Sequence, residues 1–283
     1  MISNSVVISL YTMGVAIVTF PIMLAVLLKI KTKIKISPFL IAILVYFTFS
    51  LVCPTFVHSI FLNQNRPTSG FLQSNVFVYS LYNAIVIGLF DQLGMYVAFK
   101  KLMTTHDDKR TPIMYAFGHA GADVFIMCFF TVITYVLWAE TLNAKGVDGF
   151  MELYTDAKYT DAENAIEFMK SLSVRYILLI ALERVIIFIM HTAFSVLIFY
   201  SVKRDMKVYF WIGVILRGLC SIPGSLEKYD PVYSEGINQV FIFVFLIIFV
   251  AVAVFIALKL YRIYDSEEQI QPADLFKKVH KNL

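Results

Sequence analysis

The chain has 283 residues, of which 59% are hydrophobic and only 16% charged, with a mean hydropathy of +0.74 and a net charge of +4. This composition excludes a water-soluble domain, because about a quarter of the residues in such domains are charged. The basic residues are divided among short segments beside apolar runs, so the positive charge does not indicate binding to nucleic acid. We therefore expect an all-α, polytopic helical bundle in the cell membrane.

Apolar windows of about 20 residues, the length that crosses a bilayer as a helix, recur along the chain. They predict about seven transmembrane helices in a single domain, 1–264, followed by a polar tail, 265–283. The predicted spans are 5–28, 37–62, 76–99, 112–138, 173–201, 208–224 and 237–261.

Lysine and arginine collect after the first, third, fifth and seventh predicted spans. Because basic loops stay in the cytoplasm, this bias predicts an extracellular N-terminus and a cytoplasmic C-terminus. The loop at about 139–172 is then extracellular. Its second half is predicted to form a short amphipathic helix with Ala162, Ile166 and Met169 on the apolar side.

Polar and ionisable side chains lie inside four of the spans, where each charged group costs about 2.5–3.5 kcal/mol unless it has a partner or a function. Counted at about 1.5 Å per residue, four of them lie roughly 10–15 Å from the cytoplasmic side, and we expect those four to line one cavity that opens to the cytoplasm. The four are Asp91, His119, His191 and Arg217; the others are Gln92, Asp123, Glu183, Arg184 and Ser221.

Some of these residues have a purely structural interpretation. Glu183 and Arg184 are predicted to form a structural ion pair, since an arginine at such depth requires a carboxylate. Asp91 and Arg217 could likewise fasten two helices together. Small residues such as Gly118 and Ala122 predict that a neighbouring helix approaches the fourth span closely.

The same set also supports catalysis. A carboxylate, Asp91 or Asp123, could draw a proton from water, while His119 and His191 orient that water or pass on the proton. Arg217 or Ser221 could then stabilise an oxyanion. Alternatively, His119, Asp123 and His191 could ligate zinc and leave one position open for water. A divalent metal such as zinc is therefore compatible with these residues, but the chemistry does not require a cofactor.

Four motifs in order, "GLFDQLGMYVAFK", "GHAGAD", "ERVIIFIMH" and "LRGLCSIPG", resemble those of the YhfC family of intramembrane proteases. That family is related to the PrsW proteins and the CAAX-processing endopeptidases. Its members typically carry paired glutamates, then Gly-His-Gly-Gly-x-Glu, then Glu-Arg with a histidine eight residues after the Glu, and finally His-x-x-x-Asp. The resemblance implies that the glutamates activate a water and that the later histidines orient it and bind the oxyanion.

This chain departs from the family pattern at several of these positions. Asp91 and Gln92 replace the paired glutamates, and Asp123 replaces the glutamate of the second motif. Arg217 and Ser221 stand where the family has histidine and aspartate. The residues that match the pattern are His119, Glu183, Arg184 and His191.

Three functions follow from these observations. The first is an intramembrane endopeptidase, a hydrolase that uses water activated by a carboxylate and a histidine. The second is a catalytically silent member that binds or regulates another membrane protein, and the third is a proton-coupled transporter. The expected partners are membrane lipids and a membrane-embedded or lipid-anchored peptide substrate or partner protein, with no nucleic acid.

Overall fold

The computed structural model describes residues 1–154, 158–229 and 239–268, and within these ranges the chain forms helices and no β-strand. Three of the helices continue into π-helical segments, at Tyr46–Val52, Ala98–Leu102 and Phe125–Phe129. The α-helices are α1 Asn4–Thr32, α2 Ser37–Val45, α3 Cys53–Phe61, α4 Pro67–Gln73, α5 Val76–Val97, α6 Thr111–Val124, α7 Phe130–Met151, α8 Tyr159–Ser171, α9 Val174–Lys203, α10 Lys207–Tyr229 and α11 Gln239–Glu268.

The all-α prediction is confirmed, and six helices in the described ranges are long and apolar enough to cross a membrane. The fourth predicted span, 112–138, is divided among α6, a π-helical segment and α7. The total of seven spans and the extracellular N-terminus therefore remain predictions. The six helices are Asn4–Thr32, Ser37–Phe61, Val76–Leu102, Val174–Lys203, Lys207–Leu226 and Phe241–Ile263.

The outer surface of the bundle is strongly apolar. Large side chains on several helices point outward, and Leu44, Leu178 and Phe255 are each more than 60% exposed. Exposed apolar area of this extent marks contact with another apolar phase, because a soluble monomer rarely exposes large contiguous patches. The protein is a multi-pass membrane protein whose outer faces contact lipid.

The segment predicted as an extracellular loop is largely helical. α7 continues to Met151, and its far end is tied to the start of the chain by Asn143, which exchanges two hydrogen bonds with the backbone of Ile2 (2.7 and 3.0 Å). α8 confirms the predicted amphipathic helix, since Ala162, Ile166 and Met169 are all buried. From residue 269 onward, the predicted tail lies outside the described residues.

Glycines allow α5 and α10 to pack with their backbones in contact. A Cβ atom on Gly88 of α5 would lie 2.5 Å from the carbonyl oxygen of Val214, and one on Gly218 of α10 would lie 2.7 Å from that of Ala84. No side chain fits at either position, so the two helices hold a fixed register. This register places Asp91, three residues after Gly88, beside Arg217.

The predicted close approach to the fourth span is confirmed at Gly118. A Cβ atom there would lie only 2.1 Å from the carbonyl oxygen of Phe39 on α2. Because α2 leads directly into the π-helical segment at Tyr46–Val52, this contact sets the position of that segment against α6. The next residue on α6, His119, belongs to the polar cluster described below.

Replacing Gly118 with alanine is expected to destabilise the protein by about 1–3 kcal/mol, the usual cost of overpacking, because α2 and α6 must separate. The measurement is the free energy of unfolding in detergent. Gly70→Ala is the matched control, since Gly70 also lies in a helix but a Cβ atom added to it would meet no neighbouring atom within 4 Å. Alanine favours a helix over glycine at both sites, so the difference between the variants isolates the clash. Equal stabilities would contradict the prediction.

Candidate functional site

Three helices bring one carboxylate and two histidines together in the interior. Asp91 on α5 accepts a hydrogen bond on Oδ1 from His119 Nε2 on α6 at 2.8 Å, and its Oδ2 lies 3.9 Å from His191 Nδ1 on α9. The side chains of both histidines are fully buried, and that of Asp91 is 2% exposed. One donor atom from each residue lies within 4.8 Å of the other two.

A second carboxylate, Asp123, fixes the orientation of His191. Asp123 lies four residues after His119 on α6, and its Oδ2 is 3.2 Å from His191 Nε2. An ionised carboxylate can only accept, so this contact favours the tautomer with the proton on Nε2 and leaves the lone pair of Nδ1 facing Asp91. Tyr46 donates from its hydroxyl to Asp123 Oδ1 at 2.9 Å.

Asp91 is also held by a cation and a hydroxyl. Arg217 Nε on α10 donates to Asp91 Oδ2 at 2.7 Å, and Ser50 Oγ donates to Oδ1 at 2.6 Å. Each carboxylate oxygen is therefore engaged by at least one donor. Such charge-assisted hydrogen bonds hold a buried carboxylate in one position more firmly than neutral ones.

The structure brings together five of the residues singled out from the sequence: Asp91, His119, Asp123, His191 and Arg217. Ser221 is not among them, because its hydroxyl donates to the Gly218 carbonyl of its own helix at 2.7 Å. Among the described residues, the histidines and Asp91 are almost completely buried, whereas the side chains of Asp123 and Arg217 are 13% and 15% exposed. The opening of the site to the cytoplasm remains a prediction.

The other polar residues singled out from the sequence have different surroundings. Glu183 and Arg184 bond each other at 2.8 Å, with side chains 31% and 20% exposed. Gln92, next to Asp91, is completely buried, and neither atom of its amide has a hydrogen-bond partner among the described residues.

The residues that the sequence analysis missed are Tyr46 and Ser50. Both lie in the π-helical segment of the second span, and they contact Asp123 and Asp91 respectively. Their spacing in the sequence gives one indication, since two polar residues four positions apart share one side of a helix. Serine, threonine and tyrosine are common in the spans of this chain, however, and the spacing alone does not separate these two from the rest.

The cluster has the donor set of a metal site with an open position. Two imidazoles and one carboxylate are typical of catalytic zinc, which takes three protein ligands at about 2.0–2.2 Å and a water. One ligand atom from each of the three residues lies within 4.8 Å of the other two, which is close enough for the three to share one ion. His191 also has the carboxylate partner on its second nitrogen that metal-bound histidines commonly have. Asp91, His119 and His191 therefore fit a divalent metal in number, type and spacing.

Together, the fold and the cluster define a class: a multi-pass helical membrane protein with an enclosed carboxylate–histidine site. The family model described as YhfC intramembrane metalloprotease matches residues 16–261, and the chain belongs to this family. The resemblance seen in the four motifs is thereby confirmed. The chain is 23% identical over 239 residues to the uncharacterized membrane protein YhfC of Bacillus subtilis (strain 168), a match that covers 84% of this chain and 89% of that protein. No solved structure matches the chain.

Proposed function

We propose that this protein hydrolyses a peptide bond of a membrane-embedded or lipid-anchored peptide, with a divalent metal such as zinc held by Asp91, His119 and His191. The observation that carries the proposal is the meeting of these three donors, from three different helices, in an enclosed site where Asp123 orients His191. Buried ionisable groups that converge in this way inside a membrane protein mark a functional site by default.

Each residue of the cluster has a role in this proposal. A divalent metal bound there would act as a Lewis acid on the scissile carbonyl and on water. Ser50 keeps Asp91 in place, and Tyr46 keeps Asp123 in place. We assign the proton-accepting role to Asp123, because Asp91 would hold the metal and already accepts a hydrogen bond from the Arg217 guanidinium, whereas no arginine in the described structure bonds Asp123.

The surroundings of the site favour a substrate that arrives from the lipid. An apolar cleft of about 310 Å³ lies between α1, α2 and α6. Three of its lining residues on α6, Gly118, Gly121 and Ala122, are the sequence neighbours of His119 and Asp123. An apolar peptide segment in this cleft would therefore lie one helix layer from the carboxylates and histidines.

Removal of metal is the experiment that tests the proposal. Cleavage of a mixture of membrane-embedded peptides by the purified protein in proteoliposomes should be lost with 1,10-phenanthroline and restored by excess Zn²⁺. The isomer 1,7-phenanthroline, which does not chelate, is the control. Cleavage that persists without metal would overturn the metal-dependent mechanism.

A second function, that of a silent member that binds another membrane protein, is favoured by one observation. Arg217 occupies an oxygen of the carboxylate that the metal would need. If the purified protein cleaves none of the peptides at any metal concentration, while preparations are folded and inserted, this second function replaces the first.

A further inference from the structure

We propose that Arg217 is a resident cation that competes with the divalent metal for Asp91, so that metal binding in this chain requires displacement of the guanidinium. This inference rests on the proposed function, because it concerns the same three ligands. It makes Arg217 the residue that sets the metal affinity of the site and the balance between an ion-paired and a metal-loaded state.

The contact geometry is the first support. Arg217 Nε lies 2.7 Å from Asp91 Oδ2, the same oxygen that faces the unpartnered Nδ1 of His191 at 3.9 Å. These two atoms border the space between the side chains of Asp91 and His191, both of which would hold the metal. The guanidinium is thus bonded to the oxygen that borders this space, and it satisfies the carboxylate when no metal is bound.

Electrostatics is the second support. A divalent ion at that place would lie a few ångströms from a fixed positive charge in an environment that water screens poorly, and like charges at such distances repel strongly. Arginine stays protonated in proteins, so it cannot relieve this repulsion by losing its proton. The remaining way to relieve the repulsion is movement of the side chain.

The packing of the helices determines what can move. The contacts at Gly88 and Gly218 hold the backbones of α5 and α10 together within about one helical turn of Asp91 and Arg217, so the separation of the pair cannot grow by a small helix shift. The Arg217 side chain, however, is 15% exposed, whereas Asp91 is only 2% exposed. Rotation of the guanidinium away from Asp91 is therefore the available path.

The other ion pair at membrane depth provides a matched control. Arg184 is also a partly buried arginine on a membrane span, but it bonds Glu183 and makes no hydrogen bond to Asp91, His119 or His191 in the described structure. Arg184→Met and Arg217→Met each replace one guanidinium with the same uncharged, unbranched side chain. Only Arg217→Met removes a charge that is hydrogen-bonded to a proposed metal ligand, Asp91.

The experiment measures binding of Zn²⁺ alone, by calorimetry in detergent, to the metal-stripped protein and to both variants. Arg217→Met should bind Zn²⁺ at least about tenfold more tightly than the wild type, because the repulsion from a nearby charge is gone. Arg184→Met should bind like the wild type. Adding His191→Ala to Arg217→Met should abolish the tight binding, which identifies the ligand set.

The alternative is that Arg217 supports Asp91 as a metal ligand by holding it in place. Unchanged or weaker Zn²⁺ binding by Arg217→Met overturns our inference, as does an absence of Zn²⁺ binding in all the proteins. Arg217→Gln, which removes the charge but keeps a polar side chain, serves as a second variant if Arg217→Met does not fold, and an affinity at or below that of the wild type overturns the inference too. Tighter binding without any peptide cleavage retains the inference and overturns only the proposed function.

Discussion

Replacing Asp91 with asparagine is expected to lower the free energy of unfolding of the metal-free protein by about 3–5 kcal/mol, the cost of breaking a buried ion pair from one side. Asparagine has nearly the same shape, so the loss is electrostatic: Arg217, whose side chain is only 15% exposed, stays 2.7 Å from a group that no longer carries its counter-charge. Ser50 and His119 at the same time donate to a neutral amide oxygen in place of a charged carboxylate oxygen. Unfolding in detergent followed by tryptophan fluorescence measures the effect.

A double-mutant cycle separates the contribution of the Asp91–Arg217 ion pair to stability from that of the rest of the site. Arg217→Met added to Asp91→Asn should recover most of the lost stability, because neither charge is then left buried without its partner. Asp108→Asn is the control, since the Asp108–Arg110 pair is long, at 3.8 Å, and has exposed side chains; it should change stability by less than about 1 kcal/mol. A wild-type stability of Asp91→Asn would count against the ion pair.

The largest effect on activity is expected for Asp123→Asn, which should slow peptide hydrolysis by about 10²–10⁴-fold, the usual contribution of a group that accepts a proton in the transition state. The amide cannot take up that proton, and its NH₂ group could donate toward His191 and disturb the tautomer. The stability should change less than in Asp91→Asn, because no hydrogen-bonded arginine loses its partner at Asp123. Initial rates of cleavage at saturating Zn²⁺ measure the effect.

Two controls define what the Asp123 result means. Ser221→Ala should retain activity within about twofold, because the Ser221 hydroxyl is occupied by its own helix backbone. Tyr46→Phe, which removes one donor to Asp123 but leaves the carboxylate, should lose activity by about 10–100-fold, as for other groups that orient a site residue. An active Asp123→Asn would transfer the proton-accepting role to another residue.

These two expected results assign separate tasks to carboxylates that look alike in the sequence. Asp91 accepts a hydrogen bond from Arg217, and we propose that it determines stability and metal binding; Asp123 accepts hydrogen bonds from Tyr46 and His191, and we propose that it determines activity. The family motif by itself favours Asp91 as the water-activating base, because Asp91 replaces the first glutamate of that motif. The position of Arg217 on α10 is the reason for the different proposal here.

The sequence by itself determined the fold class and most of the membrane spans. Hydropathy is a property of each segment, and a helix that crosses lipid must satisfy its own backbone hydrogen bonds, so long apolar runs can be read without knowing their neighbours. For the same reason the amphipathic face of α8 was predicted residue by residue. Depth counting also indicated that groups on four spans lie at one level.

Only the tertiary structure decided which of these groups touch. Contact depends on how far each helix is rotated about its axis, which is set by its neighbours through contacts such as Gly118 against Phe39 and Gly218 against Ala84. The π-helical segment at Tyr46–Val52 changes the helical register locally and turns Tyr46 and Ser50 toward the carboxylates. The depth of a side chain in the membrane follows from counting residues along its own helix. The rotation of a helix about its axis depends on the neighbouring helices. The sequence therefore indicated the depth of the site but not which residues contact each other there.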